Sequence, residues 1–168
     1  FYPSDKFNGD DSSVKDISNM SLELSSDQTL SSGTFDSSAD LMIGTSEELE
    51  ARPTAAIPLR WNRLVAHAYI TLDKIHDAVE GELVSSVTLT AQEGASLAGT
   101  YVINPETAVV TASVPVNEIT MQGSALIDAN GDLSFWACMM PCTWKSLTVV
   151  VDTDKATYTR EIDLTGKE

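Results

Sequence analysis

The chain is poor in basic residues, cysteine, histidine and long apolar runs, and each shortage closes off a class of protein. Ten Lys and Arg stand against 25 Asp and Glu, a formal charge of −15. Nucleic acid and anionic lipid are held through basic footprints, so a surface of this sign repels both. No window approaches the roughly 20 apolar residues of a membrane-spanning helix. Two histidines, His67 and His76, and two cysteines, Cys138 and Cys142, are present. There is no CxxC and no histidine spaced to complete a metal set, so no metal or cofactor is expected. The cysteines are four positions apart, roughly 13 Å along an extended strand, beyond the ~7 Å Cα limit of a disulfide. Two buried free thiols are the expectation, and a disulfide would need a tight turn at Pro141.

Catalytic motifs are missing too. No GxSxG, HExxH, GxxxxGK[ST] or GxGxxG occurs, and neither histidine has partners in a triad order. Asp128, Asn130 and Asp132 surround Gly131, but the spacing lacks the remaining ligands of a calcium loop. The Asn130-Gly131 pair reads instead as a type I′ hairpin turn between two strands. The Glu47-Glu48 pair sits in a polar stretch and reads as solvated. The expectation is a protein without enzymatic activity.

What is present is strand grammar. With 168 residues and 42% hydrophobic content, the chain can build one sizeable core, or one domain plus part of another. The stretch from Ile57 to Leu72, IPLRWNRLVAHAYITL, alternates cleanly. Leu64, Ala66, Ala68, Ile70 and Leu72 point one way; Val65, His67, Tyr69 and Thr71 point the other. Similar runs follow. Leu83, Val87, Leu89 and Ala91 share a face, Leu133, Phe135 and Ala137 alternate with Ser134, Trp136 and Cys138, and Leu147, Val149 and Val151 return through Tyr158, Ile162 and Leu164 after a turn at Asp154-Lys155. Leu72 to Leu83 reads as a loop or a single turn. Short strands at this spacing predict an all-β sandwich.

The first third differs in texture. Between Phe1 and Arg60 it carries 11 acidic and 4 basic residues among dense Ser, Asp, Asn and Thr. One strand is expected at Met20, Leu22 and Leu24 and a short apolar run at Leu41–Ile43, followed by a Pro-interrupted acidic linker from Glu47 to Ala56. The predicted division is therefore 1–56, the remainder of one β-sandwich, and 57–168, a second. Arg60 and Arg63, flanking Trp61, are expected at the domain junction, where a guanidinium can stack on the indole. Trp136 and Trp144 face either packing partners or, by stacking on sugar rings, a glycan. The chain opens on Phe1-Tyr2-Pro3 without an initiator Met or a leader-like segment, and reads as a processed or trimmed form.

The order of these motifs resembles the fimbrillin-like proteins, the subunits and relatives of type V pili of anaerobic bacteria. The aromatic-Pro opening FYPSDKF, the Asp27–Gly44 segment DQT…SADLMIG, the IPLRWNRLVAHAYITL strand and the closing MMPCTWKSLTVVVDTDKATYTREIDL each have a counterpart in that family's order. There are departures. Cys142 stands after Pro141 where the family commonly has Gln, and the chain stops at Glu168 where relatives continue with one more strand. Arg52 precedes Pro53, a poor site for arginine-directed cleavage, with Arg60 before Trp61 as an alternative.

The resemblance implies transthyretin-like, antiparallel, Greek-key β-sandwich domains. It implies export as a lipoprotein to the outer membrane or fimbria, and assembly with other pilin subunits by strand exchange. It places Val149 and Ile162 beside the donor-strand groove. The function expected from it is that of a structural or adhesive subunit contacting host protein or glycan. The alternative is a cell-surface carbohydrate-binding β-sandwich lipoprotein that uses Trp136 or Trp144.

Overall fold

A computed structural model describes residues 20–46, 56–75, 77–104, 109–163 and 165. Twelve strands lie among them: β1 (Met20–Leu24), β2 (Asp27–Leu30), β3 (Met42–Thr45), β4 (Arg60–Arg63), β5 (Ala66–Leu72), β6 (Leu83–Ala91), β7 (Ala98–Asn104), β8 (Val109–Val116), β9 (Glu118–Leu126), β10 (Leu133–Met139), β11 (Ser146–Thr153) and β12 (Thr157–Asp163). The only helical element among the described residues is a single 3₁₀ turn, Ser37–Ala39. The chain is all-β, in several sheets around one core, an arrangement consistent with a β-sandwich.

The largest sheet runs β12-β11-β6-β9-β2, beside the smaller sheets β1-β7-β8, β10-β5 and β3-β4. Pairing is antiparallel except between β2 and β9. A parallel pair needs a long connection, and the chain supplies one by passing through six other strands between β2 and β9.

Alternation builds the core. Leu22, Val87, Leu89, Ile103, Ile119 and Phe135 come from four different strands of the two larger sheets and from β10, each at most 2% exposed. They belong to one cluster, and burying each such side chain contributes about 1.5–3 kcal/mol. Leu24 and Leu30 lie in the same cluster. The sheets thus cross the expected 56/57 boundary: β1 pairs with β7, β2 with β9 and β3 with β4. Glu47 to Ala55 and Leu164 lie outside the described residues.

Two local expectations are corrected. Leu83 is 43% exposed while Val84 is fully buried, because a register shift between Val84 and Ser86 against β9 exchanges the faces. The Asn-Gly turn is not type I′. Gly131 alone is at positive φ, 81°, whereas type I′ needs both central residues there. Its N–H donates to the Asp128 carbonyl at 3.0 Å, and the Asp128 carboxylate accepts from the Asn130 and Asp132 N–H groups. Beyond this turn β9 and β10 diverge: β9 joins β6 and β2, and β10 joins β5. The loop after β5 is irregular as expected, with Lys74 and Asp77 at positive φ.

Candidate functional site

Two places on the molecule combine geometry with available surface: an open cleft at one side of the core, and an outward aromatic face on β5 and β10. A third place, the seam between β2 and β10, is closed by a side chain.

At that seam β2 and β10 lie side by side without a regular ladder. The Gln28 side chain completes it. Its Nε2 donates to the Cys138 carbonyl at 2.7 Å, and its Oε1 accepts from the Cys138 N–H at 2.9 Å. The Trp136 N–H donates to the Ser31 carbonyl at 3.0 Å, one ladder step along. Gln28 is only 5% exposed, so its amide stands in for a strand residue where neither partner could turn to water. The Cys138 thiol is buried in the same place, and burial, together with nearby Asp40 and Asp36, pushes its pKa up to about 11. Both cysteines are free thiols; Cys142 is half-buried.

Across the core, the end of β5 and the loop after it face the β11–β12 hairpin over a cleft of about 710 Å³. Leu72, Ile75, Val149, Val151 and Tyr158 line it, with Arg160 at the rim. Among the described residues β5 pairs only with β10 and β12 only with β11, so each presents an outer edge. Register places Tyr158 opposite Val151 and Arg160 opposite Val149. Arg160 therefore sits on the inward side of β12 yet is exposed, because no facing strand covers it among the described residues. An inward charge on an edge strand discourages indiscriminate pairing.

The base of β12 is pinned by Glu82, which is 3% exposed. Its carboxylate accepts from the Val79 N–H at 3.0 Å, the Thr153 hydroxyl at 2.9 Å and the Tyr158 hydroxyl at 3.0 and 2.9 Å. The Val79 N–H, and then these hydroxyls, hold Glu82 below the usual carboxylate range against its burial. Burial and the adjacent carboxylate push the Tyr158 phenol up.

The outward side of the β5–β10 pair is aromatic. Tyr69 lies opposite Trp136, their rings 5.0 Å apart and tilted by 48°, and Tyr69 is 54% exposed. Phe35 meets Trp136 edge-on at 6.4 Å and stacks on His67 at 3.7 Å. His67 Nε2 lies 3.0 Å from Asp40 Oδ1. Arg63 grips the same carboxylate with two bonds of 2.7 and 3.1 Å. Burial opposes the ionisation of Asp40, but the Arg63 and His67 hydrogen bonds outweigh it and keep its pKa low.

The residues expected from sequence fall as follows. Arg60, Trp61 and Arg63 form the exposed strand β4; the Trp61 ring lies over Gly44, where an added Cβ would meet it at 3.0 Å. The Arg63 guanidinium is engaged by Asp40. Val149 lines the cleft, while Ile162, opposite Leu147, is half-buried against the core. Trp136 is on the aromatic face; Trp144, in the β10–β11 loop, packs half-buried on the core away from Trp136's ring partners. Gln28, Glu82 and Tyr69 escaped the sequence reading. The signal for Gln28 was its step with Leu30, a polar residue in an inward position. Among the described residues no three His, Cys, Asp or Glu gather to hold a metal. Compared with protein-family models, curated proteins and solved structures, the chain matches none.

Proposed function

We propose that the chain is a structural or adhesive subunit of a bacterial surface fimbria of the type V kind, assembling with other pilin subunits by β-strand donation. In this reading its sandwich is of the transthyretin-like Greek-key type and its precursor travels to the outer membrane as a lipoprotein. One observation carries the proposal: a cleft with Leu72, Ile75, Val149 and Val151 in its lining lies between the end of β5 with its following loop and the β11–β12 hairpin, and β5 and β12 each bare an outer edge among the described residues. A donated strand pairs its backbone with such an edge for affinity and seats alternate apolar side chains on Leu72, Val149 and Val151 for register. No catalytic role enters this reading.

The test is an immunoblot of surface extracts from the source cells, heated mildly and then fully in detergent. A ladder that collapses on full heating supports strand-exchanged polymers. A single monomer band under both conditions counts against them. The second reading, a cell-surface carbohydrate-binding lipoprotein, is favoured by the pairing of exposed Tyr69 with half-buried Trp136 on the outward face.

A further inference from the structure

We infer that the outward face of β5 and β10, continued by the hollow beside it, is a binding site for a neutral or amino-bearing saccharide. The inference rests on the second reading above and names its site and ligand class; it is independent of strand donation.

Three features of this face run in sequence. Tyr69 and Trp136 present two tilted rings 5.0 Å apart, braced by Phe35 against Trp136. Tyr69 is more than half exposed, so its ring is accessible to a ligand. One register step along, Thr71 and Ser134 lie opposite each other with their hydroxyl oxygens 3.0 Å apart. Past Ser134 opens a hollow of about 300 Å³, walled by Ser31, Ser32, Ser124, Asp128 and Asp132 as well as Ser134 itself. The Trp136 N–H to Ser31 carbonyl bond ties the aromatic step to that wall.

A pyranose has the matching pattern. One face of its ring presents C–H groups, which lie on the electron-rich face of an aromatic ring. Its edge presents hydroxyls, each both donor and acceptor, and the serines, Thr71 and the two carboxylates offer partners of both kinds. A hollow of this size suits about one sugar ring. Its charge selects further. The wall holds two aspartates and no basic residue. Asp128 is held as the anion by the Asp132 and Asn130 N–H groups. A sialic acid or uronate would face like charge there, whereas an uncharged or amino sugar would not.

The test uses the monomeric chain on an array of neutral, amino and sialylated oligosaccharides, followed by titration of the best binder with tryptophan fluorescence as readout. The expected result is retention of neutral or amino sugars and none of the sialylated ones. Tyr69→Ala and Trp136→Ala each weaken binding about tenfold, the size of one lost aromatic contact. Trp144→Ala leaves it unchanged. Tyr69 is exposed, so its variant still decides the question if Trp136→Ala fails to fold. No retained glycan, retention of sialylated glycans alone, or binding that survives Tyr69→Ala overturns the inference. A polymer ladder in cell extracts bears only on strand donation, so the two readings fail separately.

Discussion

At the β2–β10 seam a glutamine side chain finishes the ladder, whereas between β5 and β12, on the other side of the core, nothing among the described residues does. The chemistry of the two places differs accordingly. The seam has buried backbone groups that must be paired, and Gln28 pairs both groups of Cys138. The cleft mixes apolar side chains, Leu72, Ile75, Val149 and Val151, with Asp73, Lys74 and Asp77, and its edges can be satisfied by water. One place is sealed by intramolecular hydrogen bonds. The other leaves the outer edges of β5 and β12 unpaired among the described residues, and in the proposed reading a donated strand would fill it. The comparison teaches that, among the described residues, one junction between sheets is closed by a dedicated side chain, Gln28, while the β5 and β12 edges have no such closure.

The largest effect should come from breaking the seam. Gln28→Leu leaves the buried Cys138 N–H and carbonyl without partners, and is expected to cost about 3 kcal/mol. Urea unfolding should show a lower midpoint with unchanged slope; a loss under about 0.5 kcal/mol would mean the amide does not hold the seam.

Acid should weaken both places. Asp36, whose burial is outweighed by hydrogen bonds from Ser38 and Thr29, and Asp40 sit near the seam, and Glu82 pins β12. All three have folded pKa values below their unfolded ones, ordinarily 3.8 for Asp and 4.5 for Glu. Their stabilisation is therefore fully present above the unfolded values and is lost as pH falls through the folded ones. Stability followed by urea midpoint should be flat from neutral pH to about pH 5 and fall below it. Asp40→Asn should flatten part of that fall, and an unaltered slope would remove Asp40 from the account.

Thiol labelling sharpens the contrast at smaller energetic cost. Cys138 is buried with its pKa pushed to about 11, so alkylation at pH 8 should proceed only as the seam opens. Gln28→Leu should speed labelling of Cys138, read by peptide mass separately from Cys142, and rapid labelling of Cys138 in the unaltered chain would contradict a closed seam. The smallest effect on stability belongs to the cleft. Arg160→Leu should change the monomer's stability by no more than about 0.5 kcal/mol, yet increase self-association measured by light scattering, because it removes the inward charge from an edge. Unchanged association would deny Arg160 that role.

Much of the fold is legible in the alternation of single strands. Leu22 and Leu24 in β1, Phe135 and Ala137 in β10, and the β11–β12 hairpin all follow from period two. What escapes that reading is non-local. Cys138 alternates outward with Trp136 but is buried, because the segment from Phe35 to Asp40 covers it; its thiol lies 3.9 Å from the Asp36 carbonyl. The bulge in β6 depends on its partner β9. The Asn-Gly signal describes a turn but not which strands the turn separates. At the candidate sites, Val149 and Trp136 could be read from sequence as inward and outward positions. Tyr69 as Trp136's neighbour depends on a strand pairing 67 residues distant in sequence, which no local pattern encodes.

Hydrogen exchange on fibres and on monomer tests the central claim most directly. The account predicts that amides on the outer edges of β5 and β12 exchange freely in the monomer and become protected on assembly, while those of β2 and β10 at the seam are protected in both. Equal exchange of the β5 and β12 edge amides in the two states would contradict it.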